Sequence, residues 1–294
     1  MIMERIIKSV KVFIELSKIR VALLVSVTAF AGFVVSAGGL SPAVVPAVAG
    51  TFLLACGALA LNQYQERRTD ALMDRTRSRP LPSGRTGPLT VVAYASSCIV
   101  AGFLVMLVFT GTLPAVTGLA AVCWYNTVYL FLKRRTAFAS IPGSLAGALP
   151  VLIGSEAASG RVFVPGVLLL AVFMIVWQMP HFWMIVMKYG EDYERAGLPS
   201  LTGRFTSGQI SRITFVWVLA AAMLPLLMPL YGLINSPATW LILIAVTLVL
   251  LMNAAGRLLV KAGTRPRKID LAAVNLYALA VMLIIVLDSV LRTA

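Results

Sequence analysis

Residues 44–70 read VVPAVAGTFLLACGALALNQYQERRTD. An apolar run occupies 44–64, and charged residues follow it directly. A helix needs about 20 apolar residues to cross the hydrocarbon core of a bilayer, where it satisfies its own backbone polar groups. The segment therefore predicts a transmembrane helix whose end carries a dense group of polar and charged side chains.

Eight other runs of comparable length occur between polar breaks. The composition agrees, with 60% hydrophobic residues, 12% charged residues and a mean hydropathy of +0.92, which a water-soluble domain cannot bury. We predict an all-α, polytopic membrane protein with a bundle of about nine transmembrane helices. The predicted spans are 20–38, 44–64, 89–110, 112–132, 139–155, 164–187, 211–233, 238–260 and 270–291.

The chain carries 25 Lys and Arg residues and a net charge of +14. With a cytoplasmic N-terminus, all of them except Arg161 and Arg292 fall on the cytoplasmic side, so the positive-inside rule places the C-terminus on the opposite side. The cations stand between apolar runs rather than on one water-exposed face, which argues against a nucleic-acid partner. The first apolar run leads into a full-length span, so we expect no cleaved signal peptide.

The first acidic motif covers 62–82. On a continuing helix, Asn62, Glu66, Asp70 and Asp74 would form one stripe, because positions four apart drift by only about 40°. Like charges at this spacing repel unless a cation intervenes, and Mg²⁺ is usually held by one or two carboxylates together with substrate phosphates. The stripe predicts a metal-bridged diphosphate; the alternative is a solvated helix end whose acids pair with nearby arginines.

Basic residues near this motif are candidates for contact with a diphosphate. Pro80 ends the helix and leaves Arg75 and Arg79 free to face anionic oxygens. Lys133 and Arg134 close the fourth span on the same side. For all of these cations the alternative is membrane topology alone, helped at the end of span four by the helix dipole.

The second motif covers 177–201 and lies at the cytoplasmic end of span six. It contains the acids Glu191, Asp192 and Glu194, and two acidic ends on one side could hold two ions around one diphosphate. The only histidine of the chain, His181, lies about two turns inside this span, directly after a proline that could kink the helix. It could ligate haem iron, accept a proton or hydrogen-bond a neighbour.

With these motifs the sequence resembles the UbiA-type intramembrane prenyltransferases over nearly the whole chain. Asn62, Glu66 and Asp70 match the general family signature, with Glu66 where many members have Asp. The haem-type subfamily, the protoheme IX farnesyltransferases, is indicated by Trp177-Gln-Met-Pro-His-Phe182 followed by Asp192-Tyr193 and Ala196-Gly-Leu-Pro199. Further matching segments are 16–21, 125–135, 147–154 and 275–277.

The second motif departs from the usual family pattern of two Asp residues four apart. The two positions fall on Tyr189 and Tyr193, which leaves Glu191 and Asp192 as the available carboxylates. The identity of the acid that holds a second ion is therefore open at this point.

The resemblance implies a single domain over 1–294, with a central cavity that opens toward the cytoplasmic face of a cell (inner) membrane. The implied reaction transfers a farnesyl group from farnesyl diphosphate to a vinyl group of haem b and adds water, giving haem O and diphosphate. A haem-modifying membrane enzyme downstream is a possible partner.

The resemblance also implies roles for individual residues. The implied catalytic and metal-binding set for Mg²⁺ is Asn62, Glu66, Asp70 and Asp192, with Asp74 and Glu191 as further metal ligands. The implied diphosphate contacts are Arg75, Arg79, Lys133, Arg134 and Lys188. The implied haem contacts are Trp177, His181 and Phe182.

Two alternative functions share part of this pattern. A prenyltransferase for a quinone-type aromatic acceptor has the first motif but gives no reason for Pro-His-Phe. A secondary transporter would place its acids near the middle of the membrane, whereas here they gather at helix ends on one side. The remaining acids toward the other side, Glu156 and Asp288, are predicted to be ordinary interfacial residues.

Overall fold

The computed structural model describes residues 10–292, and no strand occurs within that range. Nine of its helices are long and apolar enough to cross a membrane, which confirms the predicted number of spans. We number them in chain order as α1 Ile19–Ala37, α2 Val44–Asp70, α3 Pro88–Phe109, α4 Thr112–Lys133, α5 Ser140–Ser159, α6 Pro165–Arg195, α7 Ser207–Tyr231, α8 Pro237–Val260 and α9 Lys268–Leu291. Residues 10–16 form a shorter helix before α1.

The predicted and observed helices differ most at the ends that carry the two motifs. Helix α2 continues to Asp70 and α6 to Arg195, so parts of the connections predicted over 65–88 and 188–210 are helical. Hydropathy locates the end of the apolar part of a helix, whereas backbone hydrogen bonding can continue beyond it. We call the end of the bundle that carries both motifs the motif face.

Helices α1 and α5 approach each other backbone to backbone. A methyl group on Gly154 would lie 1.8 Å from the carbonyl oxygen of Ala29, and one on Gly32 would lie 2.0 Å from that of Val151. Small residues permit such close helix contacts, which provide van der Waals attraction where lipid supplies little hydrophobic driving force. These glycines fix α5 beside α1.

Two helices have local irregularities near the motif face. Helix α4 contains a π-helical segment, Trp124–Tyr129, just before Lys133. In α6, Pro180 stays within the helix, and the backbone leaves helical geometry at Tyr189, with φ −124° and ψ 19°. A break in helical geometry thus lies nine residues after Pro180, beside the acids of the second motif, at a position that the sequence did not predict.

The prediction that Glu156 and Asp288 are interfacial is wrong, because both side chains are buried. Asp288 accepts hydrogen bonds from the backbone N–H groups of Asn235 and Ser236, each at 2.9 Å, and from the Thr239 hydroxyl at 2.5 Å. These donors surround the first turn of α8. Asp288 thus neutralises otherwise unpaired N–H groups at a helix N-terminus, from a neighbouring helix.

Candidate active site

The first motif places three polar side chains on the inner side of α2. Asn62, Glu66 and Asp70 are all buried, and the Asp70 side chain is 1% exposed. The helix ends at Asp70, and the Asp74 side chain is 54% exposed. The stripe expected over 62–74 therefore stops at 70, since the chain turns before the fourth position can join it.

Both buried carboxylates of α2 face a cation. Lys133 Nζ lies 2.5 Å from Glu66 Oε1, and Arg79 Nη1 lies 2.6 Å from Asp70 Oδ2. Lys133 comes from the end of α4 and Arg79 from the turn after α2. Buried charges require such partners, because the low dielectric makes an unpaired charge costly. The structure thus brings together four residues that the sequence placed on three separate segments.

The second motif meets the first through Asp192. Its side chain is 10% exposed, lies against the Arg195 guanidinium, and accepts a hydrogen bond from the backbone N–H of Arg75 at 3.4 Å. Arg195 also reaches Asp74 Oδ2, at 2.7 Å. The acids of the two motifs are therefore connected across the motif face.

The other acids of the second motif point elsewhere. The Glu191 side chain is 75% exposed and pairs with Arg265, in the connection between α8 and α9. Glu194 accepts a hydrogen bond from the Thr202 hydroxyl at 2.8 Å. Asp192 is thus the acid of this motif that lies buried against the first motif.

Several buried polar atoms around the first motif have no partner, among them Asp70 Oδ1 and Asn62 Nδ2. A carboxylate oxygen with a free lone pair suits a cation, and a free amide N–H suits an anionic oxygen. No group of three His, Cys, Asp or Glu side chains that could hold a metal occurs within residues 10–292. Mg²⁺ needs only one or two carboxylates when substrate phosphates complete its shell, so the residues present fit this ion.

The sequence model of the UbiA prenyltransferase family matches residues 25–286, nearly the whole chain. The chain belongs to the UbiA prenyltransferase family. The resemblance inferred from the motifs is thereby confirmed. A UbiA-family protein is an intramembrane prenyltransferase, so the secondary-transporter alternative no longer applies.

Similar proteins point to one branch of the UbiA family. The protoheme IX farnesyltransferase of Geobacter sulfurreducens is 41% identical over 73% of this chain and 79% of its own length. That of Oleidesulfovibrio alaskensis is 33% identical over 93% of this chain and 95% of its own. The chain therefore shares most of its length with relatives that carry this name.

Solved structures share the UbiA fold with this chain. A UbiA homologue from Archaeoglobus fulgidus bound to GPP and Mg²⁺ superimposes with a TM-score of 0.71 at 15% identity, covering 94% of this chain and 99% of that one. The apo structure of a UbiA homologue from Aeropyrum pernix gives 0.74 at 17% identity, covering 92% and 98%. These matches show the fold.

In this UbiA-family chain, His181, which is predicted to contact an acceptor, lies on α6 and its side chain faces α9. His181 Nδ1 is 2.7 Å from Asn275 Oδ1, and the Trp177 indole N–H donates to the Val274 carbonyl at 2.8 Å. With the Asn275 amide in this orientation, a neutral imidazole donates from Nδ1 to the amide oxygen, and its Nε2 keeps a lone pair. The rings of Trp177 and Phe182 lie 5.6 and 5.4 Å from the His181 ring.

Three of the cations predicted to contact diphosphate have other neighbours. Arg75 and Lys188 both lie over the ring of Tyr189, at 5.5 and 5.2 Å from its centroid. Arg134 donates to the backbone carbonyl of Gln65 at 3.1 Å. Arg75 and Lys188 thus stay beside the second motif, whereas Arg134 lies on another side of α2.

Sequence reasoning did not select Lys18 as a site residue. Lys18 precedes α1 with a left-handed backbone, φ 44°, which is rare for a residue with a side chain. Burial lowers the pKa of Lys18 to about 7, reinforced by Arg79 and opposed by Glu66. Lys18 therefore lies close to the charged group formed by Glu66, Asp70, Arg79 and Lys133. Lys18 lies in segment 16–21, which matches the family, and this was the only indication of its role in the sequence. The positive-inside rule by itself also explains a lysine just before the first span.

Proposed function

We propose that this UbiA-family chain transfers a farnesyl group from farnesyl diphosphate to a vinyl group of haem b, with addition of water, giving haem O and diphosphate. The supporting observation is that the chain is 33% identical, over 93% of its length, to a relative named protoheme IX farnesyltransferase. The buried acids of the motif face supply the site for the diphosphate end of the first substrate. The chain is proposed to act as one domain over 1–294.

The proposed ligands of Mg²⁺ are Asn62, Glu66, Asp70 and Asp192. When bound, the ion would neutralise negative charge that grows on the diphosphate as its bond to the farnesyl carbon breaks. We leave Asp74 and Glu191 out of this proposed set, because both side chains are exposed and pair with arginines.

The cations of the site have a second role in this proposal. Lys133 and Arg79 are paired with Glu66 and Asp70 in the structure. Because those acids would turn to the metal ion, the two cations become available to the diphosphate oxygens, together with Lys18. Arg75 and Lys188, held over Tyr189, approach from the second motif.

The acceptor is proposed to lie in the central cavity on the α6 side, with His181 Nε2 and the Trp177 and Phe182 rings in contact with haem. The new carbon–carbon bond forms at one vinyl carbon, water adds to the other, and one proton is released. Apolar helix surfaces must keep water from the farnesyl cation until that bond forms. Asn275 would hold the His181 ring in place.

The positive-inside distribution supports a motif face in the cytoplasm, with the N-terminus on that side and the C-terminus on the other. The proposed location is a cell (inner) membrane. Because haem O would be a membrane-embedded product, a downstream haem-modifying membrane enzyme is a proposed partner.

One assay tests the proposed reaction. Purified protein is incubated with haem b, farnesyl diphosphate and Mg²⁺, and the haem is analysed by mass spectrometry. We expect a mass gain of one farnesyl group plus one hydroxyl group, and no gain when a chelator removes the metal ion. Unmodified haem, together with prenylation of a quinone precursor in the same preparation, would favour the quinone-type alternative instead.

We expect Lys18→Met to raise KM for farnesyl diphosphate roughly tenfold, the order of one charged contact of about 1.5 kcal/mol. The matched control is Lys11→Met, because Lys11 is an exposed lysine of the preceding helix. Initial rates against substrate concentration provide the measurement. Equal KM values for the two variants would remove Lys18 from the diphosphate site.

A further inference from the structure

A polar cavity opens at the motif face, outside the proposed active site. It has a volume of about 560 Å³ and lies between the ends of α2 and α4 and the chain that follows α6. Its lining includes Gln65, Arg67, Arg68, Arg134 and Leu198. On α2, Gln65 and Arg68 stand roughly 100° and 160° around the helix from Glu66, so the cavity lies on a different side from the buried stripe.

The cavity concentrates positive charge that no carboxylate offsets within residues 10–292. Arg67 donates to the Tyr64 carbonyl at 2.7 Å and lies over the Tyr64 ring, while Arg134 donates to the Gln65 carbonyl. Within residues 10–292, no salt bridge with Asp or Glu is formed by Arg67, Arg68 or Arg134. A guanidinium has five N–H donors, so most of them are free for an anion.

Gln65, one of the residues that line the cavity, has an unpaired acceptor atom. Gln65 donates through Nε2 to the Asn126 carbonyl at 3.0 Å, and its Oε1 is buried without a partner. A ligand that carries both a phosphate and a hydroxyl would satisfy the arginines and this oxygen together.

A second, smaller groove adjoins the cavity and shares Arg134 with it. The groove has a volume of about 330 Å³ and is lined also by Thr127, Leu130, Phe131 and Arg135. Phe131 is 56% exposed and lies on the outer surface of α4. In a chain that spans the membrane, this surface faces lipid, so an apolar chain can lie along it just below the arginines.

We propose that the cavity and groove together bind one anionic glycerophospholipid. Its phosphate would contact Arg67, Arg68 and Arg134, a headgroup hydroxyl would reach Gln65, and one acyl chain would lie against Phe131. Basic pockets between transmembrane helices at the membrane surface are typical sites for such headgroups. Arginines that serve topology alone need no shared cavity and no adjoining groove. The bound lipid would join the ends of α2 and α4.

The test compares lipid binding by the double variant Arg67→Gln/Arg68→Gln with the parent protein. The control is Arg204→Gln, an exposed arginine on the same face that lines neither cavity. Purified protein in detergent is titrated with phosphatidylglycerol and followed by native mass spectrometry. At about 1 kcal/mol for each arginine, we expect roughly 25-fold weaker binding in the double variant and a change under twofold in the control.

Two further titrations identify the ligand chemistry. Phosphatidylcholine, which has no net charge, and inorganic phosphate are expected to bind the parent protein at least about tenfold more weakly than phosphatidylglycerol. Equal binding of phosphatidylcholine, or of inorganic phosphate, would overturn the proposal, and so would an unchanged affinity in the double variant. If that variant does not fold, Phe131→Asn replaces it. Loss of phosphatidylglycerol affinity in Phe131→Asn supports the proposal, and unchanged affinity overturns it.

Discussion

Replacing Asp70 by Asn is expected to lower kcat/KM for farnesyl diphosphate by about 10³-fold, the order seen when one preorganised charge-stabilising group is removed. Asp70 Oδ2 is held by Arg79 and its Oδ1 is buried without a partner, so this carboxylate is fixed in position and can offer an oxygen to a metal ion. An amide keeps the shape but removes the negative charge. The measurement is haem O formation at saturating Mg²⁺.

Asp74→Asn is the matched control, because it makes the same chemical change four residues later, beyond the end of the helix. Its side chain is exposed and pairs with Arg77 and Arg195, and we expect activity within about twofold of the parent. Both variants should insert like the parent. Thermal unfolding of each variant separates a loss of stability from a loss of turnover, because Asp70→Asn leaves the largely buried Arg79 guanidinium without its carboxylate. Comparable activity of the Asp70 and Asp74 variants would contradict the proposed metal site.

Replacing Asp192 by Asn is expected to lower kcat by about 10²-fold. Asp192 is the buried acid of the second motif and accepts from the backbone of Arg75, so it faces the first motif from the opposite helix. Loss of its charge should weaken stabilisation of the departing diphosphate. A raised Mg²⁺ requirement in the same variant would show that the effect arises through the metal ion.

Glu191→Gln is the neighbouring control on the same helix end. Because Glu191 is exposed and pairs with Arg265, we expect a change in kcat under about twofold. The two variants are measured over a common Mg²⁺ titration. If Glu191→Gln lost activity and Asp192→Asn kept it, the assignment of the second motif would have to be reversed.

The number and positions of the membrane spans could be predicted closely because apolar run length is a property of the chain itself. A span has to match the thickness of the bilayer, whatever its neighbours are. The spacing of Asn62, Glu66 and Asp70 likewise places these three residues on one side of a helix. The same spacing also predicted Asp74 on this side, but the helix ends at Asp70 and the exposed Asp74 side chain pairs with Arg195.

Pairings between distant segments could not be predicted in the same way. Contacts such as Lys133 with Glu66, Asp192 with the backbone of Arg75, and Asn275 with His181 depend on which helices are neighbours. Glu156 and Asp288 illustrate the same limit, because their burial follows from the helices around them. Composition and periodicity describe one helix at a time.

The sequence by itself determined nine membrane-spanning helices, the clustering of acids toward one face and the family motifs that indicate prenyl transfer, because these depend on local composition and spacing. Tertiary structure alone decided that Asp192 rather than Glu191 faces the first motif, that Lys18 joins the charged group, and that three arginines share a cavity beside it. The physical reason is that burial and ion pairing depend on distances between helices, and helix packing sets those distances.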